Sequence, residues 1–303
     1  MNGHMDLSDS GWSDGESTTQ WCDKLPSTVQ VRPEEPPGWL DSFRFEPEPP
    51  WSRGIGFVHV LIVVAAAGFV STIGALIGFV IDFSTSDDDV LGLIMSEDFD
   101  AGVPSMIRVL PATLVIGTIF QQLGQGLSPL LISKWWRGYG AIKDWGLRFK
   151  WVDIPLGVGL AAAGFALAWL VSISLSPLLG VSEAEADNGV VISGFKGSVW
   201  LYPIIFAVVI GAPLSEEIAF RGLLQRSLSR FGGPLVGIFG STLLFALVHI
   251  GGTSFNGQIV LWASIFMIGL VFAVASAYFK RLGPSIIGHV LNNLLATIAI
   301  LWT

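Results

Sequence analysis

A chain of 303 residues that is 51% hydrophobic and 13% charged, with a mean hydropathy of +0.64, is far poorer in charge than soluble domains, where roughly 25% of residues are charged. Its formal net charge of −8 is concentrated in a few acidic zones, and its 16 Lys and Arg form no long stripe, which argues against a nucleic-acid partner. A lone cysteine, Cys22, excludes an internal disulfide or a cysteine zinc cluster.

Residues 1–53 are polar, acidic and rich in proline and tryptophan, as in "RPEEPPGW" and "FEPEPPW". Such a composition cannot bury a core and predicts a disordered tail. It also lacks the apolar core of a cleavable signal peptide. A crossing helix needs about 20 apolar residues. Candidate crossings follow at 55–81, 109–132, 154–179, 200 into a polar motif at 216, 234–250, 259–279 and 284–302. The expectation is an all-α, polytopic transmembrane bundle of about seven or eight helices behind a disordered tail. Residues 54–195 form its first set of helices, and residues 198–300 form a second set that carries the chemistry. In the first crossing, Gly74 and Gly78 form a Gly-x-x-x-Gly pair, which predicts close helix packing.

The loops orient the bundle. The stretch "DFSTSDDDVLGLIMSEDFD" at 82–100 and "VSEAEADNG" at 181–189 are acidic. Lys134, Arg137, Lys143, Arg148 and Lys150 follow the second crossing, Arg226 and Arg230 the fourth, and Lys280 and Arg281 the sixth. Arg108 and Lys196 are exceptions near the outer ends. Basic loops favour the cytoplasm, so the expectation is an integral protein of the plasma membrane with its N-terminus in the cytoplasm and its C-terminus outside. Trp135, Trp136, Trp145 and Trp151 flank the second basic loop, as an interfacial belt would.

Three polar groups stand out among the last crossings: Glu216, Glu217 and Arg221; His249 with Phe245 one turn before it; and His289 with Asn293. A charge at mid-bilayer costs roughly 2.5–3.5 kcal/mol on the insertion scale, so such residues face the bundle interior and mark function. Glu217 and Arg221 share a helix face and can neutralise each other, while Glu216 lies about 100° around the helix and is free to face something else. Asn292 is expected to make a helix–helix contact. His59 is expected at the interface where the first crossing starts, and His4 lies in the tail.

"FGGP" at 231–234 reads as a turn between antiparallel helices. Glu216 precedes Gly233 by 17 residues and His249 follows it by 16, which at 1.5 Å per residue puts both about 24–25 Å from the turn. His289 falls within one helical turn of that level by the same ruler. This predicts a polar cavity within the membrane, nearer the cytoplasmic face. It also predicts that 221–233 reaches the cytoplasm as an amphipathic extension. The glycine-rich "GGTSFNG" at 251–257 would then lie in the bilayer, which is allowed only where it is packed in protein or lines water.

A glutamate shielded from bulk water suits general-base work near neutral pH. An imidazole across from it can orient the same water, and a second imidazole and an amide can stabilise an oxyanion. Such a set can hydrolyse a peptide bond without a serine or cysteine nucleophile. Alternatively, Glu216, His249 and His289 could hold a divalent metal such as zinc, with water in the fourth position. Residue spacing leaves both mechanisms open. No His-Glu-x-x-His, Gly-x-Gly-Asp or Gly-x-Ser-Gly motif occurs. Two other classes compete: a non-catalytic scaffold or immunity protein binding a partner through the cavity, and a proton-coupled transporter, which lacks the expected repeats.

"EEIAFR" at 216–221, "FALVH" at 245–249 and "HVLNN" at 289–293, in that order on apolar helices, resemble the CPBP family of CAAX prenyl endopeptidases and bacteriocin-processing or self-immunity intramembrane proteases. The resemblance covers about residues 201–300 and implies an eight-helix fold with a cavity open to the cytoplasm. It implies that Glu216 is the water-activating base, that Glu217 and Arg221 are a structural ion pair, and that His249 holds the water or metal. His289 and Asn293 would form the oxyanion site, with Phe245 packed beside His249. The implied partners are membrane lipids and a peptide or protein substrate.

Overall fold

The computed structural model describes residues 39–43, 56–86, 89–96, 103–135, 139–182, 189–251 and 254–302. Among them every regular element is helical and there is no strand. α1 (Gly56–Thr85), the short α2 (Val90–Ile94) and α3 (Val103–Val109) lead into α4 (Pro111–Trp135). α5 (Ala141–Asp144), α6 (Asp153–Leu179) and α7 (Val190–Gly194) follow. A continuous helical run then contains α8 (Leu201–Phe206), α9 (Ala212–Glu216) and α10 (Gln225–Leu247), joined by wider π turns over Ala207–Gly211 and Glu217–Leu224. α11 (Phe255–Phe279) and α12 (Gly283–Trp302) complete the described chain.

Among the described residues, five helical runs are long and apolar enough to cross a membrane: α1 from Val58, α6, the run Leu201–Leu247, α11 and α12. The third has 47 residues, far longer than the roughly 20 a single crossing needs. It folds back at Gly233, whose φ of 85° and ψ of 174° are non-helical and suit only glycine. Past the turn its arms run side by side: a Cβ at Gly240 would meet a methyl of Leu228 at 3.1 Å. The expected hairpin at "FGGP" is therefore present. α4 falls short of the apolarity of a span because Gln121, Gln122 and Gln125 interrupt it, yet it packs along α1. Each of the seven segments expected from hydropathy thus corresponds to a helix or an arm of the hairpin.

The α1–α4 contact depends on close backbone approach. A Cβ on Gly78 would sit 2.5 Å from the carbonyl oxygen of Ala112. The acidic loop begins later than its charge pattern suggests. Asp82 is buried inside α1, and its carboxylate accepts the amide hydrogens of Ala112 (2.9 Å) and Thr113 (2.8 Å) and the Thr113 hydroxyl (2.8 Å). The first amides of any helix lack partners within it, and Asp82 supplies them for α4.

At the end of the bundle bordered by the basic loops, side chains close gaps between helices. Arg281 donates to Asp153 at 2.6 and 2.9 Å, and Arg226 donates to the carbonyls of Lys143 and Lys280. The expected amphipathic extension at 221–233 is not what forms. Gln225, Arg226 and Ser227 are buried, with Gln225 donating to the Ala273 carbonyl at 2.8 Å and accepting from Ser276 at 3.1 Å. Gln225 thus serves α11, and Ser227 donates to the Leu223 carbonyl at 2.8 Å, instead of facing water.

Three smaller expectations also change. Trp145 is fully buried, its indole donating to the Pro129 carbonyl at 2.8 Å, whereas Trp135 and Trp151 are exposed as a belt requires. His59 is buried rather than interfacial. Within the stretch read as a disordered tail, Trp39–Phe43 forms a short 3-10 turn, and the Phe43 ring lies 6.1 Å from that of Tyr278. The rest of 1–53 lies outside the described residues.

Candidate active site

Glu216 ends α9 and Glu217 opens the π turn that follows. The widened hydrogen-bonding of a π turn shifts the rotation between successive residues, and such turns are frequent at functional sites. The consequence here is that both glutamates face one imidazole. His289 Nδ1 lies 3.1 Å from Glu217 Oε1, and its Nε2 lies 3.6 Å from Glu216 Oε2. The first is a hydrogen bond in which the ring donates, because a carboxylate only accepts. The second is too long for a direct bond. The Glu216 side chain keeps 18% of its surface exposed, against none for Glu217.

Glu217 also pairs with Arg221, 3.2 Å away, and both are fully buried. Arg221 donates to the Gly269 carbonyl at 3.2 Å, and its guanidinium carbon lies 4.0 Å from the centre of the Phe245 ring. Phe245 therefore does more than pack beside His249, its ring 4.7 Å from that imidazole: it also covers the buried cation. His289 lies between Phe272, roughly parallel at 5.4 Å, and the edge of Phe245 at 5.8 Å.

His249 follows α10, and its Nδ1 lies 2.7 Å from the Phe245 carbonyl. That carbonyl can only accept, so Nδ1 carries the proton and neutral His249 keeps its lone pair on Nε2. Two residues missed from sequence hold this histidine. Its own carbonyl accepts from Gln258 Nε2 (2.8 Å) and Trp262 Nε1 (2.9 Å), and the Gln258 oxygen accepts from the Gly251 amide (3.0 Å). These bonds also answer how backbone at the start of the glycine-rich stretch is satisfied. A glutamine and a tryptophan one turn apart on an apolar helix were the available signal.

Asn293 donates to the carbonyl of Val208, inside the first π turn, at 2.8 Å. One of its two amide hydrogens is thus committed to holding α12 against that turn, and one is left. Asn292 makes the expected helix–helix contact, its amide nitrogen 3.2 Å from where a Cβ on Gly164 of α6 would sit. It is buried, yet neither its amide nitrogen nor its oxygen has a hydrogen-bond partner.

Glu216, His249, His289 and Asn293 all line one cavity of about 590 Å³. Its walls include Leu114 and Thr118 at the start of α4, Ser172 late in α6, Ile192 in α7, and Thr297 and Ile300 late in α12. The ends of α4, α6 and α7 named here border the acidic loops, and the late part of α12 lines the same cavity. The cavity was expected nearer the basic loops, whereas its lining runs from the site toward the end bordered by the acidic loops. The helix ends at the basic side are filled by Trp145, Gln225 and Arg226.

A zinc site needs its nitrogen and oxygen ligands at about 2.0–2.2 Å from one point. Among the described residues no three His, Cys, Asp or Glu side chains are grouped to hold a metal ion. His289 has a carboxylate facing each nitrogen, with Nδ1 bonded to Glu217. Yet Nδ1 of His289 on Glu217 and Nδ1 of His249 on the Phe245 carbonyl are the outer hydrogen bonds that a metal-ligating histidine makes, and the Nε2 atoms with Glu216 are the ones that would hold the ion, so the residue chemistry is compatible with either mechanism.

Long apolar helices around a buried group of carboxylates, imidazoles and an arginine define an integral membrane protein with an intramembrane polar site. Residues 198–295 match the family model described as Type II CAAX prenyl endopeptidase Rce1-like. That stretch contains Glu216, Glu217, Arg221, Phe245, His249, His289 and Asn293. No curated protein matches the chain. No solved structure matches it either.

Proposed function

We propose that this protein is an intramembrane endopeptidase in which Glu216 activates water for attack on a peptide bond. The observation that carries the reading is the facing of Glu216 and His289 at the inner end of a cavity enclosed by helices. Glu216 is the partly accessible carboxylate, whereas Glu217 is committed to Arg221 and His289. Glu216 takes a proton from water as the water oxygen attacks the carbonyl carbon. The Nε2 lone pair of His249 accepts the other hydrogen of that water and aligns it. The resulting oxyanion is met by the remaining amide hydrogen of Asn293 and by Nε2–H of His289 in its imidazolium form, which Glu217 anchors through Nδ1. The proton held by Glu216 then passes to the leaving nitrogen as the C–N bond breaks.

On the positive-inside reading the tail of 1–53 lies in the cytoplasm, the C-terminus lies outside, and the cavity receives its substrate from the outer face. That favours a peptide arriving from outside over the tail of a cytoplasmic CAAX protein. The test is cleavage of internally quenched apolar peptides by purified protein in lipid nanodiscs, with and without chelator. Cleavage should survive the chelator and fall at least about 100-fold in Glu216→Gln, since a positioned general base contributes about 10²–10⁴-fold. Loss on chelation would restore the metal reading. A wild-type protein that cleaves nothing would leave the scaffold reading in place.

A further inference from the structure

We infer that Asn292, with Thr297 beyond it, binds the main chain of an extended apolar peptide lying along α12; this deepens the peptide-cleaving reading and rests on it. Asn292 is 6% exposed and Thr297 2%, both line the cavity, and the Asn292 amide nitrogen and oxygen and the Thr297 hydroxyl have no hydrogen-bond partner. Unpaired polar atoms are costly anywhere inside a protein and more so where bilayer replaces water. They persist where something else completes them. The rest of the α12 strip facing the cavity runs His289, Asn293, Ala296 and Ile300, at helical spacing.

A primary amide presents one acceptor and a donor side by side, the same pair that a peptide group presents in reverse. It can therefore take both the N–H and the C=O of a bound segment, whatever that segment's side chains are. Asn292 lies about 4.5 Å, and Thr297 about 12 Å, beyond His289 along the helix axis. In an extended chain at about 3.3 Å per residue, these are roughly one and four residues from the bond being cut. Phe165, Trp169, Leu261 and Ile265 give the cavity apolar walls, suited to aliphatic side chains. An extended segment in such a place carries bare peptide groups, and Asn292 supplies what the bilayer cannot.

The full-length chain carrying Glu216→Gln, reconstituted in nanodiscs, is titrated with a short fluorescein-labelled peptide of alanine, leucine and valine and followed by anisotropy. Adding Asn292→Ala should weaken binding about tenfold, the worth of one or two hydrogen bonds. Replacing the amide N–H nearest the cleaved bond by an ester oxygen should weaken binding to Glu216→Gln alone, and make no further difference once Asn292 is gone. In active protein, Asn292→Ala should raise KM more than it lowers kcat. Peptide-free Asn292→Leu should melt at or above the parent temperature, because no native bond is lost. Equal affinity with and without Asn292, no binding of the peptide at all, or a lowered melting temperature in peptide-free Asn292→Leu would each overturn the inference. Binding that depends on Asn292 in a protein that cleaves nothing would support it and overturn the protease reading instead.

Discussion

Arg221 and Phe245 sit the same number of residues on either side of Gly233, and the arginine's guanidinium carbon lies 4.0 Å from the centre of the phenylalanine ring. The hairpin makes this meeting: two arms leaving one turn at the same rise bring equidistant residues level. The same pairing puts Phe220 against Phe245, with ring centres 5.2 Å apart. Glu217 lies one turn above Arg221, and His289 comes in from α12 to complete the group.

Removing the cation from this group should be severe. In Arg221→Met the Glu217 carboxylate loses its cation and keeps the bond from His289, and breaking a buried pair from one side costs about 3–5 kcal/mol. Melting in detergent should show a large drop, while Glu217→Gln with Arg221→Met together should recover part of it. Equal melting of wild type and Arg221→Met would mean that the pair does not hold the site.

Gln258→Ala separates placement of His249 from stability. It removes a donor to the His249 carbonyl and the acceptor for Gly251. The histidine then keeps Trp262, its ring bond to Phe245 and its backbone bond to the Ala246 carbonyl. We expect kcat to fall about tenfold or more, since small misplacement of a catalytic group is costly, with KM little changed. A change in KM alone would assign Gln258 to substrate binding.

The α1–α4 seam is tested by a matched pair of substitutions. Gly78→Ala puts a methyl 2.5 Å from a backbone carbonyl oxygen of α4, whereas Gly68→Ala meets nothing within 4 Å. Overpacking costs typically about 1–3 kcal/mol. Gly78→Ala should therefore melt lower than Gly68→Ala, and equal melting would show that the helices can move apart freely.

Asp82→Ala removes the cap that one helix gives another. Loss of a cap costs about 0.5–2 kcal/mol, and here two amides and a hydroxyl lose their acceptor together. The expected loss is toward the upper end of that range. Hydrogen exchange should show it as faster exchange at Ala112 and Thr113, and unchanged rates there would refute the cap.

The apolar runs, the FGGP turn and the set Glu216, Glu217, Arg221, Phe245, His249, His289 and Asn293 were legible because each is a local or periodic pattern. A twenty-residue apolar run leaves a membrane chain few choices other than a helix, and a charge within one must find company. The hairpin ruler rests on the same fact: rise per residue is fixed by the backbone, so Glu216 and His249 were set level by counting, and across the same turn the structure brings Arg221 to Phe245.

Partners across helices were another matter. Asp82 reads as one more acid in an acidic loop until α4 starts beside it. Arg226 and Gln225 read as a water-facing extension until α11 presents carbonyls to them. Asn292 and Asn293 are neighbours of one type, yet one ties α12 to Val208 and the other has no bond, because 100° of helical rotation sends them to different surroundings.

The amino-acid order by itself determined which segments are apolar helices, where the chain turns back and which side chains need a buried partner, because those follow from hydropathy, backbone geometry and the cost of charge in lipid. Only the packed structure decided that both glutamates converge on His289 and that the cavity extends toward the acidic loops. Those outcomes depend on the rotation and tilt of whole helices, which are set by contacts between residues far apart in the chain.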